Sequence, residues 1–156
     1  MPGIKIGTLA SQAGCQVETI RYYEREGLLS EPVRTSGNYR LYGEESIERL
    51  RFIRQCRSLD MALEEIRVLL RFRDAPEQNC GDVNDLLDEH IEHVGRRIAE
   101  LKSMEKYLRE LRRQCVKTSA SKDCAILNEL AKKGNSRMPK ASPAGHVGSS
   151  HAHQRK

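Results

Sequence analysis

Residues 6–29, IGTLASQAGCQVETIRYYEREGLL, decide the fold. In the first half, Ile6, Leu9, Ala10 and Ala13 recur at helical spacing and Gly14 ends the run, so a helix is expected over 6–13. After Cys15 and Gln16 the period resumes. Val17, Ile20 and Tyr23 share one face, and Gly27 closes a second helix. Two short helices joined by a turn of three or four residues containing glycine make a helix-turn-helix.

The next stretch, SEPVRTSGNYRLYGEES (30–46), holds Pro32, Gly37 and Gly43, which forbid a long helix. Asn38-Tyr39-Arg40-Leu41-Tyr42 alternates and is rich in β-formers, so a small hairpin, or wing, is expected. Helical periodicity returns from Glu45 to Leu59, with Ile47, Leu50, Ile53 and Leu59 on one face. A fourth helix, Leu63 to Arg73, uses Ile66, Leu69 and Leu70 and stops before Pro76.

From Leu87 the pattern changes. Leu87, Ile91, Val94, Ile98, Leu101, Met104, Leu108 and Leu111 follow steps of three and four, and one further step reaches Cys115. This is a heptad-like seam with one phase slip. A helix over 82–115 would run roughly 50 Å. Such a seam needs a long partner. A hairpin within the chain would need a second long helix, which the sequence lacks, so a second copy is the simplest partner. Ala125 to Ala131 can add two turns. Residues 133–156 are rich in Gly, Ser, Pro and Lys without periodicity, and read as a disordered tail. The expected class is therefore mainly α: a winged helix-turn-helix over 1–75, a linker over 76–81, a dimerisation helix over 82–115, a loop and short helix over 116–132, and the tail.

Composition narrows the partners. The net charge is +5, yet residues 132–156 contribute six Lys and Arg and no acid; the remainder carries 21 basic against 22 acidic side chains. A nucleic-acid footprint must therefore come from a local patch rather than from bulk charge. No apolar run approaches a membrane span, and the first residues carry no signal-like apolar core, so a cytoplasmic protein with no membrane partner is expected. Cytoplasmic thiols stay reduced, and five cysteines cannot all pair within one chain. Phosphate-binding glycine loops and nucleophile elbows are absent, and no histidine precedes His90, so the sequence offers no enzyme site.

The second helix of the helix-turn-helix would present Thr19, Arg21 and Tyr22, and the hairpin adds Tyr39 and Arg40. Guanidinium and phenol groups reach phosphates and base edges. Arg51, Arg54 and Arg57 would extend the patch. The alternative is an ordinary solvated helical face.

Two cysteines, Cys115 and Cys124, bracket eight polar or small residues; a disulfide, a metal and coincidence are the three explanations. Cys80 stands at the start of the long helix, where the dipole favours negative charge. Cys80 and Cys115 of one chain lie too far apart to share an ion. In an antiparallel pair of long helices, Cys80 of one copy meets Cys115 and Cys124 of the other. Three thiolates suit Pb(II), Hg(II) or Cd(II) better than tetrahedral Zn(II). Cys56 falls on a core face, and Cys15 lies in the interhelix turn as a half-buried structural thiol. His90 and His93 could ligate at i, i+3, or serve the helix interface. His146, His151 and His153 form a small histidine tract, either a second metal site or tail composition.

IGTLASQAGCQVETIRYYEREGLL followed by GNYRLY resembles the winged helix-turn-helix of MerR-family regulators. The likeness continues through RFIRQCRSLDMALEEIRVLL and CGDVNDLLDEHIEHV, covering residues 4–131. Cys80, Cys115 and Cys124 match the pattern of its divalent-metal sensors. DEHIEHV, the eight-residue loop and the histidine-bearing tail look most like the cadmium- and lead-responsive branch. The resemblance implies a homodimer with antiparallel long helices on double-stranded promoter DNA whose polymerase recognition elements are spaced too far apart. Metal would shift the dimer so that the DNA is bent and undertwisted for RNA polymerase. It also implies that Thr19, Arg21, Tyr22, Tyr39 and Arg40 contact DNA. The loop lacks the paired cysteines or added histidine of the family's zinc sensors, so Zn(II) fits less well than Pb(II) or Cd(II).

Three rival functions remain at this level: a cytoplasmic metal buffer without DNA, a thiol redox regulator acting through Cys115 and Cys124, and a regulator of organic molecules, for which a larger C-terminal domain would be expected.

Overall fold

The computed structural model describes residues 3–132. The chain divides into two compact units, Met1–Val83 and Asn84–Lys156, and the longest helix runs through the division.

In the first unit, α1 (Ile6–Ala13) buries Leu9, Ala10 and Ala13. Gly14 terminates it at φ 66, a left-handed conformation that glycine adopts without a side-chain clash. Helix α2 (Val17–Arg25) buries Ile20 and Tyr23, and Gly27 turns the chain at φ 71. The turn then delivers Leu28 and Leu29 into the core.

The hairpin pairs β1 (Val33–Arg34) with β2 (Arg40–Leu41) antiparallel, Val33 opposite Leu41 and Arg34 opposite Arg40. Its tip is closed by the Asn38 N–H donating to the Thr35 carbonyl at 2.8 Å, with Asn38 at φ 62. Beyond the expected hairpin, Ile4 forms an antiparallel bridge with Tyr42, two backbone hydrogen bonds of 2.9 Å that fasten the N-terminal segment to the base of the wing.

Helix α3 (Glu44–Ser58) buries Leu50, Ile53 and Cys56. Leu59 departs from the expected face: it lies one residue past the helix and is 53% exposed. Asp60 takes φ 62 and turns the chain there, so Met61 rather than Leu59 returns to the core. Helix α4 (Leu63–Asp74) buries Ile66 and Leu70. The Glu65 carboxylate accepts the Ala62 N–H at 2.7 Å, satisfying one of the free donors at its start. One apolar cluster unites α1, α2, α3 and α4 with Leu28, Leu29, Tyr42 and Met61, and within it Leu9, Ile20, Leu28, Leu50, Ile53, Ile66 and Leu70 are nearly sealed from solvent.

Helix α5 (Gly81–Arg113) has 33 residues, about 50 Å at 1.5 Å per residue. In the second unit it is followed by a loop, a 3₁₀ turn (Ser121–Asp123) and α6 (Ala125–Ala131). Along the seam, Leu87, Ile91, Ile98, Leu101 and Leu108 are exposed, Val94 and Met104 are half-buried, and Leu111 is buried. No helix among the described residues is long and apolar enough to cross a membrane.

Candidate nucleic-acid interface and metal centre

On α2 the buried positions Ile20 and Tyr23 fix which side chains face outward. Arg21 and Tyr22 are exposed and Thr19 is half-buried. The Tyr22 ring sits 5.8 Å from that of the buried Tyr23, which steadies it. Tyr39 and Arg40 are exposed at the end of the wing loop and the start of β2.

Two basic residues beyond those read from the sequence join this surface. Lys5 places Nζ 5.3 Å over the Tyr39 ring, a cation–π contact that ties the segment before α1 to the wing. Arg34 lies directly across the hairpin from Arg40, and its Nη1 donates to Asn38 Oδ1 at 3.0 Å. Two like charges directly opposite one another destabilise a bare hairpin. An anion between them removes that cost. The sequence signal was the spacing: a five-residue connection between strands places Arg34 and Arg40 in register.

Arg54 and Arg57, read as extending the patch, also have structural work, and Arg54 stays exposed while doing it. Arg54 Nη1 donates to the Ala13 carbonyl at 2.6 Å, closing the C-terminal end of α1. Arg57 Nη1 donates to the Met61 carbonyl at 2.9 Å. Arg51 Nη2 reaches the Gln12 carbonyl at 3.4 Å while staying exposed. Arg49 and Arg67 play the same part for the chain after α2. Arg49 Nε donates to the Leu28 carbonyl at 2.7 Å and Arg67 Nη2 to the Glu26 carbonyl at 2.8 Å.

All five cysteines are free thiols. Cys56 is buried and Cys15 half-buried; burial pushes both thiols up from the usual range, with the Arg54 guanidinium partly offsetting the shift at Cys15. Both suit structural roles. Cys80 is exposed, immediately before α5, beside the Asn79 carboxamide that accepts the Gly81 N–H at 2.8 Å. Cys115 follows α5 by two residues and Cys124 immediately precedes α6. Cys115 and Cys124 line one hollow with Ser119, Ser121, Asp123 and Val116. The loop therefore brings two of the three candidate thiols together. Among the described residues no three His, Cys, Asp or Glu side chains gather within one chain. On α5, His90 is buried and its ring stacks 6.0 Å from that of His93. His146, His151 and His153 lie outside the described residues.

A helix-turn-helix carrying a basic wing, followed by one long helix, defines a class of DNA-binding transcriptional regulator. Residues 4–72 match the MerR HTH family regulatory protein model, and residues 47–111 match the model for MerR, DNA binding. A curated relative from Haemophilus influenzae, an HTH-type transcriptional regulator ZntR homolog, is 50% identical over 113 residues, spanning 72% of this chain and 84% of that protein. Among solved structures, the transcription regulator PbrR691 from Ralstonia metallidurans CH34, in complex with lead(II), is 52% identical. It superposes with a TM-score of 0.71, covering 82% of this chain and 99% of that one. The dual function regulator MerR from Bacillus megaterium MB1, in complex with mercury(II) ion, is 34% identical with a TM-score of 0.61, covering 83% of this chain and 100% of that one. The chain belongs to the MerR family of transcriptional regulators, a non-enzymatic family, and its similarity runs to metal-responsive members of it.

Proposed function

We propose that this chain is a heavy-metal-responsive transcriptional regulator that binds promoter DNA as a homodimer and responds to lead(II) or cadmium(II). The observation that carries the reading is the placement of three thiols about one helix. Cys80 precedes α5, while Cys115 and Cys124 share a hollow just beyond its other end. Pairing α5 antiparallel with its copy would cover the exposed seam of Leu87, Ile91, Ile98, Leu101 and Leu108. It would also set Cys80 of the partner subunit against Cys115 and Cys124.

The donor set fits a soft ion. Three thiolates with no built fourth ligand match large, soft lead(II) and cadmium(II), and suit zinc(II) less, which prefers four ligands in a tetrahedron. The lead(II) bound by PbrR691, at 52% identity, supports the same reading. A second site on His146, His151 and His153 belongs to the proposal too. When bound, metal would supply a link between the loop and the partner's helix. The thiolates of both subunits would thereby favour one arrangement of the dimer over another.

On the DNA side, Thr19, Arg21 and Tyr22 would enter the groove from α2, with Tyr39 and Arg40 on the flanking backbone. The facing Arg34 and Arg40 support this, since a phosphate between them relieves their repulsion. In this reading 1–75 bind DNA, 76–81 act as hinge, 82–115 pair, and 116–132 hold metal. The switch acts through DNA shape, realigning an overlong promoter spacer for RNA polymerase in the cytoplasm, where thiols stay reduced.

Titration of the reduced, metal-free protein with Pb(II), Cd(II) and Zn(II), followed by thiolate-to-metal absorbance, tests the site. The band should saturate at one ion per chain, and Cys80→Ser should abolish it. Equal affinity in Cys80→Ser would leave only a local loop site. A DNA response to oxidant with no metal present would instead favour the thiol redox regulator.

A further inference from the structure

We propose that the Tyr42 hydroxyl and the Glu24 carboxylate form a latch that positions the wing against α2, and so sets the spacing between the two groups of DNA contacts. The inference rests on the DNA-binding reading above and adds a positioning pair to it. Tyr42 ends the β2 side of the hairpin, two residues beyond Arg40 and three beyond Tyr39. Its ring is buried in the main apolar cluster, and its hydroxyl donates to Glu24 Oε1 at 2.5 Å. Glu24 lies on α2, two residues from Tyr22 and one helical turn from Arg21. The bond therefore joins the strand that carries Arg40 directly to the helix that carries Arg21 and Tyr22.

Nothing else among the described hydrogen bonds and ion pairs joins β2 or the hairpin tip to α2. The two-residue strands bond to each other, Ile4 pairs with Tyr42, and Lys5 rests on Tyr39. Those contacts fix the wing to the N-terminal segment; on α2 its register rests on the Tyr42 ring, packed in the cluster that holds Ile20 and Tyr23, and on this one polar pair. The bond is short and ionic, the strong kind of hydrogen bond. Burial, the bond to Glu24 and its negative charge all hold the phenol protonated, so the donor is retained through the physiological range.

Such a pair acts on DNA without touching it. Protein groups that must meet two sites on a duplex at once lose affinity when their separation wanders, because each must be ordered on binding. Removing the hydroxyl alone keeps the ring and its burial. The test uses the full chain and a duplex selected by the wild-type protein from a random 40-bp pool. Tyr42→Phe should bind that duplex about tenfold more weakly, as loss of a strong hydrogen bond would give. Its hydroxyl-radical footprint should lose protection at the flanks, where the wing lies, and keep it at the centre. Glu24→Gln, which retains an acceptor, should fall between wild type and Tyr42→Phe. Wild-type affinity with an unchanged footprint in Tyr42→Phe would overturn the latch, as would a lowered melting temperature with unchanged affinity well below it. Failure of the wild-type protein to select any duplex would overturn the DNA-binding reading itself.

Discussion

Single residues explain why this small domain spends so many arginines. Arg49, Arg54, Arg57 and Arg67 each donate to a main-chain carbonyl at the end of a helix or in the turn after it. Helix C-termini leave carbonyls unsatisfied and carry partial negative charge, so a guanidinium there serves both needs. Substituting Arg54 by Leu should cost roughly 1–2 kcal/mol of stability, read as a lower urea midpoint with an unchanged slope. At Gly14, a Cβ would lie 2.8 Å from Arg54 Nη1 and the residue would be held at φ 66. Gly14→Ala should therefore cost about 1–2 kcal/mol, more than a helix-interior exchange would suggest.

Four other residues set an alkaline limit. Burial raises the thiols of Cys15 and Cys56 above 9.0 and the phenols of Tyr23 and Tyr42 above 10.0. Each group holds its proton more tightly when folded than when unfolded. Their contribution is thus complete below about pH 9 and is lost as pH rises, because the unfolded chain ionises first. Melting temperature in reducing buffer should be level from pH 7 to 8.5 and fall steadily from pH 9 to 11. A flat profile across that range would contradict the burial of these four groups.

Among the elements, α5 stands apart because its apolar seam faces solvent along most of its length. Ile91 is 65% and Leu108 61% exposed, so neither contributes much to the fold of one chain. Leu108→Glu should leave the helical circular dichroism near that of wild type while shifting sedimentation equilibrium from dimer towards monomer. A variant that stays dimeric would show that α5 is not the interface.

The elements also mark what the sequence could and could not reveal. Periodicity located both helices of the helix-turn-helix and α5, because buried positions repeat and Gly14 and Gly27 punctuate them. Leu59 was misassigned because helical spacing continues past the point where Asp60 breaks the backbone. The Ile4–Tyr42 bridge escaped notice because a single pair of residues has no period. The arginine caps were invisible for a similar reason: an arginine bound to a distant carbonyl looks, in sequence, like one turned to solvent. Cys115 and Cys124 were legible as a pair, since a short loop must bring its ends near one another. Arg34 became part of the candidate surface only once the hairpin register was known.

At the scale of the whole molecule, the proposed function joins a DNA-reading unit to a metal site that one chain would not complete. Because the body of the protein is nearly neutral, DNA affinity must depend on a few local cations. Neutralising Arg40 as Arg40→Gln should weaken binding at every sequence and reduce the salt slope by about one. A slope unchanged from wild type would remove Arg40 from the phosphate contacts.

The central claim is that each metal site draws thiols from two chains, and mixed dimers test it most directly. Cys80→Ser and Cys115→Ser proteins would be prepared separately, each unable to bind lead(II), then unfolded, mixed and refolded together under reducing conditions. An antiparallel shared site predicts that each heterodimer regains one intact set: Cys80 from the Cys115→Ser chain with Cys115 and Cys124 from the Cys80→Ser chain. Lead–thiolate absorbance should reappear on mixing, at one ion per heterodimer. If the refolded mixture contains heterodimers and still binds no lead(II), the site lies within a single chain and the account is wrong.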